Sequence, residues 1–330
     1  MRKDRKMKDI MQITAAFAVL LTIIPMIVFL RAEAPEAKAA SADSAKVVSV
    51  YFTESGEVKD YTLEEYLTGA VLAQMPADFE DEAIKAQAVL AHTYIERRKL
   101  TEAQSPTAEL KGADISDDTT LYQSFFTEEA AKAYYGDDYE AAHKKVAKLV
   151  AEVSSDIITY EGEPIIAAFH AASSGQTQSA KVAWGQDIPY LQSVKSESDL
   201  ELEGAKSVVT LTAAQFRDKL KKACPDVALT DLSDAENWLE CTADKTGYVT
   251  KITVCGKVID RNVFLEAFDI ASPCFEFDFK NTKFTFTAQG FGHLVGMSQY
   301  GANAMAKSGS DYKAIIGHYF TGVDIQKVTA

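Results

Sequence analysis

The sequence predicts an α+β fold, a single mixed domain with a groove, standing behind an N-terminal transmembrane helix. Three observations predict it. Short strand-like runs interleave with few helices and never settle into the regular alternation of a doubly wound sheet. At 330 residues, 47% hydrophobic and 25% charged, the chain has globular composition and the length for a sizeable core. One uncharged run, Ile10 to Leu30, matches the ~20 apolar residues that cross a bilayer as a helix.

Ahead of that run stand Arg2, Lys3, Arg5, Lys6 and Lys8 against Asp4 and Asp9. The positive-inside bias therefore assigns residues 1–9 to a basic cytoplasmic tail, 10–30 to a single membrane span and everything beyond to the extracytoplasmic side. A cleaved signal peptide is the rival reading, because Ala37-Lys38-Ala39 has the small-x-small form of a cleavage site. The run is longer than a usual signal core, and the site lies well past its end. Residues 31–46, rich in Ala, Ser, Glu and Pro without periodicity, read as a linker. A formal net charge of −14 excludes a nucleic-acid partner, since such binding rests on Lys and Arg neutralising phosphates.

The extracytoplasmic domain, 47–330, opens with a strand over Val47–Phe52 and a turn at Gly56. Thr62 and Glu65 have the spacing of a capping box at the head of a helix. The stretch Glu82–Arg97 is alanine-rich, with Ile84, Ala88, Ala91 and Ile95 on one helical stripe. Lys85 and His92 stand seven residues apart, two turns, so both project from one face beside the loop Gln74-Met75-Pro76. A polar pair there is a candidate groove wall. Thr127–Val153 reads as one solvated helix, and Ile157–Phe169 as two strands around Gly162.

The loop Phe169-His170-Ala171-Ala172-Ser173-Ser174-Gly175 is built of small residues that let a ligand approach the backbone. Residues 196–285, with a helix near Ala213–Cys224, read as an elaboration of the same domain. All four cysteines, Cys224, Cys241, Cys255 and Cys274, fall there; three disulfide pairings are open to them, and their spacing argues against zinc. The last dense motif runs from Gly290 to Ala302 and combines four glycines with His293, Ser298, Gln299 and Tyr300. It predicts a backbone bent round a site and then a helix to Lys307.

Four segments, Tyr66–Pro76, Glu82–Tyr94, Phe169–Thr177 with Trp184-Gly185, and Gly290–Ala302, together resemble the stage II sporulation protein D family and the related amidase enhancers. The resemblance implies a lytic transglycosylase that cleaves between N-acetylmuramic acid and N-acetylglucosamine in strands already stripped of stem peptides, during engulfment of the forespore. It implies as partners peptidoglycan glycan strands, the amidase stage II sporulation protein P and the membrane protein stage II sporulation protein M. No cofactor and no metal are expected.

The family's acid is a glutamate directly before Met-Pro; here that position is Gln74. An amide hydrogen-bonds a sugar but transfers no proton near neutral pH, and general acid–base catalysis is typically worth about 10²- to 10⁴-fold. The helix that reads Ala-Arg-Thr-Tyr in the family reads Ala91-His92-Thr93-Tyr94, while Lys85 keeps the family's residue. The Ser-Thr-Ser-Gly-Gly loop appears as Ala171-Ala172-Ser173-Ser174-Gly175, and a zinc-binding cysteine of some relatives is missing. These changes point to a pseudoenzyme that holds glycan through Gln74, Lys85, His92, His170, Ser173, Gly175, His293, Ser298, Gln299 and Tyr300. The alternative is an active transglycosylase with its acid relocated to Glu65, Glu80 or Glu82.

Overall fold

The computed structural model describes residues 47–328, so the predicted basic tail, membrane span and linker lie outside the described residues. Among the described residues no helix is long and apolar enough to cross a membrane. They form two compact units, one of residues 169–301 and one of 47–168 with 302–328. Helices and short strands mix in both, as the α+β expectation has it.

The chain begins with β1 (Val47–Tyr51) and β2 (Val58–Thr62), then α1 (Leu63–Gln74) and α2 (Asp81–Gln104), a two-residue β3 (Ile115–Ser116), α3 (Glu128–Tyr135), α4 (Tyr139–Val153), β4 (Asp156–Tyr160) and β5 (Glu163–Pro164). β1 pairs antiparallel with β2 and parallel with β3. The capping box forms as its spacing predicts: Glu65 N–H donates to Thr62 Oγ1 at 3.2 Å, and Glu65 Oε2 accepts from Thr62 N–H at 2.8 Å. α2 is buried on most of its circumference, at Ala83, Ile84, Ala86, Val89, Leu90, Ala91 and Ile95. A helix buried on most sides needs neighbours on most sides, and α1, α4 and β4 pack against it.

One expectation is corrected here. Thr127–Val153 is two helices, not one solvated helix, and the break falls at Gly136, whose φ of 56° lies in the left-handed region. α4 then buries Ala142, Val146, Leu149, Val150 and Val153 against α1 and α2. That i, i+4, i+7, i+8, i+11 stripe is amphipathic, and its many Lys and Glu lie on the other face.

The chain continues through β6 (Phe169–His170), α5 (Ala180–Trp184), β7 (Lys206–Thr212), α6 (Ala213–Ala223), β8 (Leu239–Ala243), β9 (Val249–Val254), β10 (Lys257–Ile259), α7 (Arg261–Phe268), β11 (Phe275–Lys280), β12 (Lys283–Gln289) and β13 (Met297–Ser298). Two antiparallel sheets, β11-β12-β7 and β10-β9-β8, enclose a core of their own with α6 and α7. Phe216 sits at its centre, stacked on Phe268 at 4.5 Å and Phe284 at 4.4 Å. All four cysteines are free thiols. Burial raises the Cys241 thiol to about 12 and that of Cys274 to about 11, so neither is a ready nucleophile.

α8 (Gln299–Lys307), α9 (Tyr312–Tyr319) and β14 (Asp324–Lys327) close the chain. α9 packs on α2, and β14 pairs antiparallel with β4.

Candidate functional site

Gln74, the last residue of α1, is 1% exposed. Its Nε2 donates to the Ser124 carbonyl at 2.6 Å, and its Oε1 accepts from Gln87 Nε2 at 2.8 Å and Gln123 Nε2 at 3.3 Å. Gln123 is itself held, its Oε1 by the Tyr66 hydroxyl at 3.3 Å and its backbone N–H by Tyr94 Oη at 3.1 Å. The backbone follows: Phe126 N–H donates to Gly69 O at 3.0 Å. A Cβ on Gly69 would stand 2.3 Å from Phe126 O, so only glycine admits this approach. The surroundings of position 74 thus demand a donor at one end of the side chain and an acceptor at the other, which an amide supplies and a carboxylate does not.

Lys85 lies half-buried between two carboxylates, 2.9 Å from Glu82 Oε1 and 2.8 Å from Glu152 Oε2. The hydrogen bond to Glu152, with that to Glu82, holds its ammonium well above the usual lysine range. Glu82 Oε2 accepts from Tyr312 N–H at 2.8 Å, and the Tyr312 hydroxyl donates to Asp156 Oδ2 at 2.7 Å. His92 completes the chain: its Nδ1 lies 3.0 Å from the Asp156 carbonyl, so Nδ1 carries the proton. Its Nε2 makes no hydrogen bond among the described residues and stands 3.8 Å from Glu96 Oε1. Burial pushes the His92 pKa down to about 4, so the ring that replaces the family's arginine is neutral. Next to it Thr93 Oγ1 accepts from Ile158 N–H at 2.8 Å, so His92 and Thr93 together tie α2 to β4. Lys85 and His92 do share a face, as their spacing predicts. Tyr312 and Asp156, which join them, come from distant segments that carry no motif.

Two of the three carboxylates considered as relocated acids, those of Glu65 and Glu82, have other partners. Glu65 closes the capping box, and its carboxylate is held below the usual range chiefly by the Thr62 backbone N–H. Nine residues before Gln74 on one helix, it stands about 13 Å away along the axis. Glu82 is the Lys85 and Tyr312 partner described above. Glu80 precedes α2, where its backbone N–H donates to Asn303 Oδ1 at 2.8 Å.

In the unit of 169–301, β6 and β13 pair in parallel, Phe169 with Met297 and His170 with Ser298, which brings the two glycine-rich motifs side by side. The Gly290 and Gly292 φ angles are +82° and +98°, and a Cβ on Gly290 would meet Ala172 O at 2.7 Å. His170 Nδ1 lies 3.2 Å from Val295 O, while its buried Nε2 has no hydrogen bond among the described residues. His293 Nδ1 accepts from Val295 N–H at 3.0 Å. The two rings are 6.0 Å apart, and Trp184 meets His293 edge-on at 5.6 Å. Ser173 and Ser298 converge on a residue the sequence reading missed, Asp199: its Oδ2 accepts from Ser173 N–H at 2.7 Å and its Oδ1 from Ser298 Oγ at 3.0 Å. Burial raises the Asp199 pKa, although these donors oppose it. Gly175 (φ +99°) lies under Leu200; Gln299 is buried, and Tyr300 N–H donates to Ala171 O at 3.0 Å.

Burial lowers His170 to about 4, and burial together with His170 lowers His293 to about 3. Both rings are neutral in the fold and take up protons on unfolding below the ordinary histidine pKa of about 6.5. Stability is therefore complete above that value and lost as pH falls toward about 4. Both tryptophans of the chain, Trp184 and Trp238, lie in this unit, so their fluorescence follows it alone. The urea midpoint read that way is expected to drop across this window, and His170→Gln to flatten the drop by one proton's worth. A midpoint that ignores pH there would contradict the neutral assignment.

Among the described residues no cluster of three His, Cys, Asp or Glu could hold a metal ion. Comparison with known proteins accounts for the motifs. Residues 51–160 match the family described as Stage II sporulation protein. Stage II sporulation protein D of Bacillus subtilis (strain 168) is 38% identical over 299 residues, 90% of this chain and 84% of the relative. That of Bacillus amyloliquefaciens is 33% identical over 343 residues, 97% and 96% of the two chains. The amidase enhancer of Bacillus subtilis is 26% identical over 309 residues, 78% of this chain and 40% of that protein. Likeness of this extent, running through the position-74 network and the paired glycine-rich motifs alike, means that the chain belongs to the stage II sporulation protein D family.

Proposed function

We propose that this protein binds peptidoglycan glycan strands at the sporulation septum during engulfment, anchored by its 10–30 span with the folded part outside the cytoplasm, and that it lacks lytic transglycosylase activity. The observation that carries the reading is Gln74 itself. The position where the family has its acid holds an amide, and that amide donates to the Ser124 carbonyl while accepting from Gln87. The Glu65 and Glu82 carboxylates are engaged elsewhere, which leaves the exposed Glu80 as the one relocated acid still open to the alternative reading. The anchoring is supported by the uncharged Ile10–Leu30 run behind its basic tail. Likeness to a protein named amidase enhancer supports a partnership with an amidase, of which stage II sporulation protein P is the proposed one, with stage II sporulation protein M as the membrane partner.

The test is mass spectrometry of amidase-treated peptidoglycan incubated with the protein. Wild type is expected to release no 1,6-anhydro-muramyl product. Anhydro products from the wild-type protein would overturn the non-catalytic reading.

A further inference from the structure

Strand β7 lies at one edge of the sheet β11-β12-β7 and pairs only with β12. Antiparallel strands exchange backbone hydrogen bonds at every second residue. The bonds just past the two ends of β7 fix which residues these are: Ala213 N–H donates to Thr282 O at 3.0 Å, and Gly290 N–H to Ala205 O at 2.8 Å. In that register Ser207, Val209 and Leu211 turn their backbone groups to β12, whereas Val208 and Thr210 turn theirs outward. Among the described residues the N–H and C=O groups of Val208 and Thr210 have no partner. Val208 is also 62% exposed. The opposite edge, β11, carries Glu276, Asp278 and Lys280, and charges of that kind guard an edge against strand addition. From Ser207 to Thr212 β7 has no charge and no proline, and its pairing with β12 is unbroken.

We propose that β7 pairs antiparallel with β7 of a second copy of this chain, about a twofold axis at Val209, so that one sheet runs through a symmetric dimer. The occupant follows from the self-complementarity of the edge. About that axis Val208 of each copy falls opposite Thr210 of the other, so the residues whose backbone groups are free meet one another and each N–H finds a C=O. A slip of one residue would set free groups against groups already bonded to β12, which excludes the intermediate registers. The side chains agree with this register. Val208 beside Thr210 makes a β-branched pair on the outer face, where the Thr210 and Thr285 hydroxyls already lie 3.3 Å apart. Lys206 falls opposite Thr212, so no like charges face each other across the axis. The pairing stops at Thr212, whose N–H donates to Gln215 Oε1 at 2.9 Å as α6 begins. A contact one strand wide buries less than the ~800 Å² per partner of a stable interface, so the dimer is a weak one, with a dissociation constant on the order of 10⁻⁵–10⁻⁴ M. This pairing does not depend on the glycan-binding reading.

The experiment is amide hydrogen exchange of the full chain in detergent micelles, resolved to single residues by fragmentation mass spectrometry. Between about 1 µM and about 200 µM protein, exchange at the Thr210 N–H is expected to slow about two- to fivefold, as mass action fills the dimer. The Val258 N–H, on the edge strand β10 and 60% exposed at its side chain, is expected to exchange equally fast at both concentrations. Val208→Pro removes an outward N–H that the fold does not use, and Val208→Lys brings a lysine of each copy beside the axis. Both are expected to abolish the slowing at Thr210 while the urea midpoint by tryptophan fluorescence stays that of wild type. Thr210 exchange that ignores concentration in the wild type would overturn the self-pairing and leave the edge to a strand of another protein. Slowing that persists in both variants, or that appears equally at Val258, would overturn β7 as the interface.

Discussion

Gln74→Ala is expected to destabilise the unit of 47–168 and 302–328 by about 2–4 kcal/mol, because it removes the buried amide that donates to the Ser124 carbonyl and accepts from Gln87. Gln74→Glu separates size from charge. A protonated acid reproduces the amide, its O–H donating to Ser124 O and its carbonyl accepting from Gln87, whereas the ionised form turns an acceptor toward an acceptor. The folded pKa of that glutamate is therefore raised above its unfolded value of about 4.3. For an acid shifted in that sense, stability matches wild type below the unfolded pKa and is lost as pH rises through the folded one. Urea denaturation followed by circular dichroism at about pH 4 and about pH 8 measures the difference; tryptophan fluorescence would miss it, since both tryptophans lie in the other unit. A Gln74→Glu chain as stable as wild type at the higher pH would refute the donor requirement.

Phe216→Ala is expected to destabilise residues 169–301 by about 3–5 kcal/mol. The ring is fully buried and stacked between Phe268 and Phe284, with Trp238 at 6.2 Å, so its removal leaves a cavity whose walls are themselves rigid rings. Such walls collapse little, which places the cost toward the upper part of the range for aromatic truncations. The comparison is Val208→Ala at a site 62% exposed, expected within about 0.5 kcal/mol of wild type. Urea midpoints by tryptophan fluorescence decide it. A loss below about 1 kcal/mol at Phe216 would mean that the core refills the space.

How much of this was legible in the residues depends on the distance over which each feature is encoded. The capping box at Thr62, the helix through His92, the strands either side of Gly162 and the helix ending at Lys307 are local patterns, written within a few residues, and they form as read. Thr127–Val153 was misread because composition was weighed above spacing: the Lys and Glu residues drew attention from the buried stripe beneath them. Gln74, Lys85 and His92 were found because they stand in dense motifs. Ser124, Asp199 and Tyr312 were not, because each meets its partner from 26 to 230 residues away and carries no pattern of its own.

By itself, then, the sequence determined the α+β character, the family, and the fact that an amide occupies the acid's position, since each is carried by side-chain identity and local period. Only the tertiary structure decided what that amide does. Its partners at 123 and 124 lie some fifty residues along the chain, and a buried polar group takes its role from whichever donors and acceptors folding brings within about 3 Å.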